Sequence, residues 1–133
     1  MFFDYSVTIP FSTTQAAWLE QDLKLSAGVI HHVEVGFPWG CAGLVYVTLW
    51  HMDHQLWPLN PGGAFNSDDE VIAWDDRFEL TSPYNWLRAR LWNLDDTFDH
   101  TIELRFGILP AEEIAVGSTI DNLLNVFKKV FRA

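Results

Sequence analysis

The feature that most constrains this chain is a two-residue alternation of apolar and polar side chains, which recurs in short runs along most of its length. In the first run, from Phe3 to Ile9, every second residue is apolar, and Pro10 ends the run. Such runs, separated by clusters of Pro, Gly, Asn and Asp, are typical of β-strands that bury one face. The pattern predicts eight strands, at residues 3–9, 23–37, 44–52, 54–57, 70–74, 77–81, 86–93 and 98–109.

Eight short strands at regular spacing favour an all-β fold, an antiparallel eight-stranded β-sandwich that is jelly-roll-like. An immunoglobulin-like sandwich is the alternative, although its Cys…Trp…Cys pattern is absent because Cys41 is the only cysteine. A chain of 133 residues accommodates one such domain rather than two. We therefore predict a β-sandwich domain over residues 1–117.

The end of the chain changes from the strand period to the helix period. Ser118 is suited to cap a helix, and Lys128, Lys129 and Arg132 near the end suit its dipole. The pattern predicts an amphipathic α-helix over residues 118–133, which packs on its own sandwich or on a partner subunit. Its apolar face is Ile120, Leu123, Leu124, Phe127, Val130 and Phe131.

Successive connections of an antiparallel sandwich alternate between its two ends, so the predicted loops can be sorted by end. One end receives Trp39, Phe65 and Tyr84, and this aromatic end either plugs the sandwich or meets a partner. The other end is acidic, and it is either solvated or holds a hard cation such as Ca²⁺. The candidate cation ligands at that end are Asp75, Asp76, Asp95, Asp96 and Asp99.

Large apolar side chains in loops, on one strand face and in the C-terminal helix are candidate contacts with a partner. Trp86 and Trp92 share one face of their strand with Arg88 and Arg90, so this face is not a core face. That face lies under the C-terminal helix, meets another subunit, or binds a ligand. The candidate interface residues are Trp39, Phe65, Tyr84, Trp86, Trp92, Leu123, Leu124, Phe127 and Phe131.

No catalytic constellation is evident in the sequence. Cys41 has no base beside it in WGCAG, so we expect a packed turn residue. His31 and His32 are expected on opposite faces of one strand, and the HMDH segment offers too few ligands for a metal. We expect no catalytic residues and no cofactor.

Charge and the N-terminal sequence limit the partners. A formal net charge of −10 opposes binding to nucleic acids and anionic membranes. Asp4 stands where a secretion signal needs a basic start, so no such signal is expected.

Two segments combine strands and turns, GVIHHVEVGFPWGCAGLVYVTLW (28–50) and ARLWNLDDTFDHTIELRFGIL (89–109), and a further segment is appended at the C-terminus. Together they resemble the small jelly-roll proteins that decorate or cement the capsids of tailed bacteriophages. The resemblance spans about residues 5 to 109 and implies no catalytic residues. We therefore expect a non-enzymatic virion protein, made in the host cytoplasm, that forms homo-oligomers and docks on another structural protein. One alternative is a carbohydrate-binding or adhesion module that uses surface tryptophans. A cupin-like metal enzyme is disfavoured because no histidine pair accompanies a carboxylate on inward strand positions.

Overall fold

A computed structural model describes residues 1–110 of the protein. These residues form two antiparallel four-stranded sheets that enclose one apolar core, so the predicted eight-stranded β-sandwich is confirmed. No helix among them has the length and hydropathy of a membrane span. The strands are β1 (Phe2–Ile9), β2 (Leu19–Lys24), β3 (Gly28–Phe37), β4 (Val45–His51), β5 (His54–Trp57), β6 (Glu70–Leu80), β7 (Trp86–Asn93) and β8 (His100–Pro110).

Several predictions concern residues that the structure does not describe. They are the helix over residues 118–133, the domain boundary after residue 117, and the interface candidates Leu123, Leu124, Phe127 and Phe131. These predictions lie outside the described residues.

The strand order decides which loops lie together. The first sheet has the order β1-β8-β3-β6, and the second sheet has the order β2-β7-β4-β5. Because neighbouring strands are antiparallel, four connections emerge at one end of the sandwich, which we call the loop end. These connections are residues 10–18, 38–44, 58–69 and 94–99, whereas residues 25–27, 52–53 and 81–85 connect strands at the opposite end.

The core lies between the two sheets, where the inward residues of the strands are fully buried. Phe106, Ile9 and Leu91 are among the side chains that have no exposed area. Asn93 is also fully buried, and both the nitrogen and the oxygen of its side-chain amide have hydrogen-bond partners. Its Nδ2 donates to the carbonyl oxygens of Ile9 (3.1 Å) and Phe98 (3.0 Å), and its Oδ1 accepts from Asp95 N (3.0 Å). This single side chain therefore joins β1, β7 and the connection that follows β7.

Three predicted strands have the wrong bounds, and the two errors cancel in the count of eight. The predicted strand at 23–37 is in fact the end of β2 and all of β3, which lie in different sheets. The predicted strands at 70–74 and 77–81 are one strand, β6, in which Asp75 and Asp76 are internal. β6 is an edge strand beside a bulge in β3, so solvent-facing carboxylates do not end it.

The two adjacent histidines do not lie on opposite faces as the alternation predicts. A bulge between Ile30 and His32 inserts His31 as an extra residue opposite β8. A Cβ added at Gly107 would lie 3.0 Å from His31 Nε2, so the His31 ring lies beside Gly107. Phe106 and Ile108 on either side of Gly107 are fully buried, so Gly107 itself is on the outer face. His32 also faces outward, because its Nδ1 lies 2.6 Å from Oδ1 of the exposed Asp75. The bulge therefore turns both imidazoles to the outer face of the first sheet.

The predicted separation into an acidic end and an aromatic end is wrong. Asp95, Asp96 and Asp99 lie in the same loop end as Trp39, while Tyr84 lies at the opposite end. Asp75 and Asp76 belong to neither end, since they lie within β6. The loop end therefore combines carboxylates with large apolar side chains.

Gly28 lies where the chain passes from one sheet to the other, and a substitution there tests how closely the backbones approach at this point. Its φ is 151°, and a Cβ there would lie 2.0 Å from the Leu109 carbonyl oxygen. We predict that Gly28→Ala lowers the free energy of unfolding by about 2 kcal/mol or more. Gly62→Ala is the matched control, because Gly62 also has positive φ (79°) but open space around it. Chemical denaturation should show a loss of at most about 1 kcal/mol for the control; equal losses would contradict the close approach.

Candidate functional site

The loop end exposes several large apolar side chains. Trp39 is 82% exposed and Phe98 is 64% exposed. Phe11 and Leu94 are each about half exposed, so the connections at residues 10–18, 38–44 and 94–99 all contribute. Exposed apolar groups gathered on one surface are typical of interaction sites rather than of free monomer surfaces.

The carboxylates of the loop end hold the loops in place. Asp68 Oδ1 accepts hydrogen bonds from Gly40 N (2.8 Å) and Ala42 N (3.1 Å), which ties the connection before β6 to the one before β4. Asp99 Oδ1 accepts from Phe11 N at 2.9 Å. Hydrogen bonds from backbone amides to carboxylates are charge-assisted and stronger than neutral ones. The acidic residues therefore stabilise the loops that carry the exposed apolar side chains.

Asp95 organises the connection between β7 and β8. Its Oδ2 lies 2.9 Å from His100 Nε2, and its Oδ1 accepts from Thr97 N (2.9 Å) and Phe98 N (3.3 Å). The hydrogen bond with His100, followed by that from Thr97 N, holds the pKa of the Asp95 carboxyl below its usual value. Because these donors favour the ionised form, the turn that presents Phe98 is fixed by a carboxylate.

Backbone hydrogen bonds link the loops to one another. Ser12 N donates to Asp95 O at 2.7 Å, and Leu94 N donates to Leu44 O at 2.9 Å. Asp69 N donates to Pro38 O at 3.4 Å. The apolar side chains of the loop end are thus presented on a fixed frame, which lowers the entropy lost when a partner binds.

The five candidate cation ligands are not brought together. Asp75 pairs with His32, and Asp76 Oδ2 accepts from Trp57 Nε1 at 2.7 Å. Asp95 and Asp99 hold the loops as described above, and Asp96 Oδ1 accepts from Thr97 Oγ1 at 2.8 Å. Within residues 1–110 no three His, Cys, Asp or Glu side chains are placed to share a metal ion.

The three predicted aromatic anchors have three different environments. Trp39 is exposed at the loop end. Phe65 folds back on the core, where its ring centroid lies 4.9 Å from that of Trp74 and its backbone pairs with Val47. Tyr84 is about half exposed at the opposite end, where its carbonyl oxygen lies 3.0 Å from His51 Nε2.

The outer face of the second sheet carries a layer of aromatic rings and guanidinium groups, which we call the aromatic face. Arg88 lies over Trp86 at 5.3 Å from the ring centroid. Arg90 lies over two rings, Trp18 at 4.9 Å and Trp50 at 4.4 Å. The registers confirm that residues 86, 88, 90 and 92 share this face. The Arg88–Trp86 contact joins two residues of β7, as the alternation predicts, whereas Arg90 contacts rings that lie outside β7.

Trp92 is buried within this face rather than exposed on it. Tyr46 stacks on Trp92 with centroids 5.3 Å apart, and the Trp18 centroid is 6.2 Å away on the same layer. Alternation in the sequence does not identify Trp18, because this residue precedes β2 and the sequence around it resembles a polar connection. Its spacing of two from Glu20 and four from Asp22, on the outward positions of β2, is the signal that locates it.

The outer face of the first sheet is polar by comparison. Ser6 donates to Glu103, and Thr8 shares a hydrogen bond with Thr101 at 2.8 Å. The hydrogen bond with Asp75 raises the pKa of the His32 imidazole, although burial opposes this. A groove of about 390 Å³ lies over Gly36 between Val71 and Glu103. This face has fewer large exposed apolar groups than the loop end.

Comparison with known proteins assigns no family to this chain. No protein-family model matches it, and no curated protein is similar to it in sequence. The assignment of function therefore depends on the loop end and the aromatic face.

Cys41 is fully buried beneath the loop end, as expected of a packed turn residue. Burial, followed by the charges of Asp68 and Asp95, raises the pKa of its thiol from 9.0 to about 11. The raised pKa stabilises the fold below pH 9.0, and that contribution is lost as the pH rises through 11. We predict negligible labelling of native protein by a thiol reagent at pH 8 and full labelling in denaturant. Labelling of native protein at the rate of a free thiol would contradict this environment.

Proposed function

We propose that this chain is a non-enzymatic structural protein that associates with further copies of itself and docks on a larger particle through the loop end. The observation that carries the proposal is the set of exposed apolar side chains, Trp39 above all, on loops fixed by carboxylate hydrogen bonds. Burial of such a surface gains hydrophobic free energy at a low entropic cost. A specific contact needs about 800 Å² per partner.

We propose further that the sandwich is a jelly roll and the protein a virion component, such as a capsid decoration protein, made in the host cytoplasm. The strand order supports the fold, because β1-β8-β3-β6 opposite β2-β7-β4-β5 is the arrangement of two interleaved Greek keys. The jelly roll is an architecture of viral capsid domains. The resemblance of residues 28–50 and 89–109 to phage decoration proteins supports the same role.

The occupant that best suits the loop end is the C-terminal segment of a second copy. The predicted helix over residues 118–133 has one apolar face, and three of its last six residues are the bases Lys128, Lys129 and Arg132. The loop end offers apolar rings beside carboxylates, which is the complementary pattern. β8 ends at Pro110 on the side opposite the loop end, and a segment that continues away from that side would join copies head to tail. Head-to-tail contacts build rings or filaments.

Deletion of residues 118–133 tests the partner segment. We predict that the full chain forms oligomers in light scattering and that the truncated chain is a monomer at the same concentration. Circular dichroism should show an unchanged sandwich, because residues 1–110 by themselves form both sheets and enclose a buried apolar core. An unchanged mass after truncation would eliminate the segment as the link, and a monomeric full chain at all concentrations would reject self-association.

Trp39→Ala tests the loop end itself. Since Trp39 is 82% exposed, the substitution should leave the free energy of unfolding within about 0.5 kcal/mol of the original. It should weaken association about tenfold or more, measured by sedimentation, because buried tryptophans dominate interfaces. Tyr84→Ala is the matched control, an exposed aromatic at the opposite end. Equal association of the two variants would remove the loop end from the interface.

A further inference from the structure

The aromatic face contains a hollow that assembly through the loop end does not explain. It has a volume of about 210 Å³, and its walls include the rings of Trp18, Trp50 and Trp92. The Trp18 centroid lies 6.2 Å from those of both other rings, which are inclined to it by 56° and 31°. Concave sites lined by aromatic rings and a few polar groups are the usual form of small-ligand sites.

Contacts with neighbouring side chains hold the rings in position. The Arg90 guanidinium lies against Trp18 and Trp50, and Arg90 Nε donates to Glu20 Oε1 at 3.0 Å. Trp50 Nε1 donates to Thr48 Oγ1 at 2.8 Å, and this hydroxyl donates in turn to the Arg90 carbonyl oxygen at 2.8 Å. The hollow is therefore preorganised, so a ligand loses little affinity to the ordering of these side chains.

Uncharged polar groups complete the hollow. Gln55 Nε2 donates to Pro58 O (2.7 Å) and Gly63 O (2.9 Å), which fixes the neighbouring connection beside the rings. These bonds use both amide hydrogens, so Oε1 is the acceptor that Gln55 retains. Gln15 is exposed, and its amide has no hydrogen-bond partner among residues 1–110. The hollow thus offers donors and acceptors that carry no charge.

The charges around the hollow select the class of ligand. A cation would meet the Arg90 guanidinium, which already lies against two of the rings. An anion would meet Glu20 and the net charge of −10. A neutral ring with polarised C–H groups on one face and hydroxyls at its edge suits both the electron-rich ring faces and the free amides. We propose that the hollow binds one pyranose ring of a neutral carbohydrate, with its C–H face against the tryptophans and its hydroxyls on Gln15 and Gln55.

Saturation-transfer NMR on the full chain tests the site with three probes: methyl β-glucopyranoside, methyl β-galactopyranoside and methyl α-mannopyranoside. At least one should bind with a dissociation constant on the order of 1 mM, the range expected for so small a ligand. The ring C–H protons should receive the strongest saturation. Tetramethylammonium is the comparison probe for a cation site. Absence of transfer to all three glycosides at concentrations up to about 20 mM, or binding of tetramethylammonium alone, would overturn the proposal.

Two variants locate the binding. Trp18→Ala removes one wall and should weaken binding at least about tenfold. Gln15→Ala changes only an exposed side chain, so the fold is retained, and binding should weaken about three- to tenfold. Tyr84→Ala is the matched control at the opposite end and should bind as the original chain does. Unchanged affinity in the Gln15 variant together with the Trp18 variant would place the sugar elsewhere and reject this site.

Discussion

Burial of the two inner sheet faces against each other is the constraint on which the rest of this structure depends. Each strand turns one row of side chains inward, as β8 does with Ile102, Leu104 and Phe106, all without exposed area. Because successive side chains of a strand point to opposite faces, the other row lies on an outer face. The two outer faces are therefore free to differ, and one is polar while the other is aromatic. The loops are confined to the two ends, where they meet regardless of their separation in sequence.

The sequence predicts the strands whose inward residues are consistently apolar and fails at two edge strands. β7 and β8 each bury a regular row, so alternation located them well. β2 buries only Leu23, and β6 buries only Leu80, because an edge strand covers less of the core. Their sequences read as a polar connection and as two strands around Asp75 and Asp76. Edge strands tolerate such residues because solvent reaches them, which is a property of position in the sheet and not of local sequence.

One of these errors explains why the candidate site was only partly predicted. Division of β6 into two strands reverses the end assigned to each later connection. The prediction therefore assigns Tyr84 to the same end as Trp39 and Asp95 to the opposite end. The role of the carboxylates is also not evident in the sequence, because a solvated cluster, a cation site and a set of backbone acceptors share the same composition. Only distances distinguish them, and Asp68 and Asp99 prove to be acceptors for Gly40 and Phe11.

The same connections build both proposed surfaces, and this links their functions physically. Residues 10–18 supply Phe11 to the loop end and Trp18 to the hollow. Residues 58–69 supply Asp68 to the loop end and Gly63 to the hollow. If a partner on the loop end changes the affinity of the hollow for its ligand, the ligand changes the affinity for the partner by the same factor. Gln55 holds Gly63 and the Ser12–Asp95 bond holds residues 10–18, so hydrogen bonds fix both shared connections. The connection that carries Trp39 contributes nothing to the walls of the hollow, so the two surfaces remain separable by substitution.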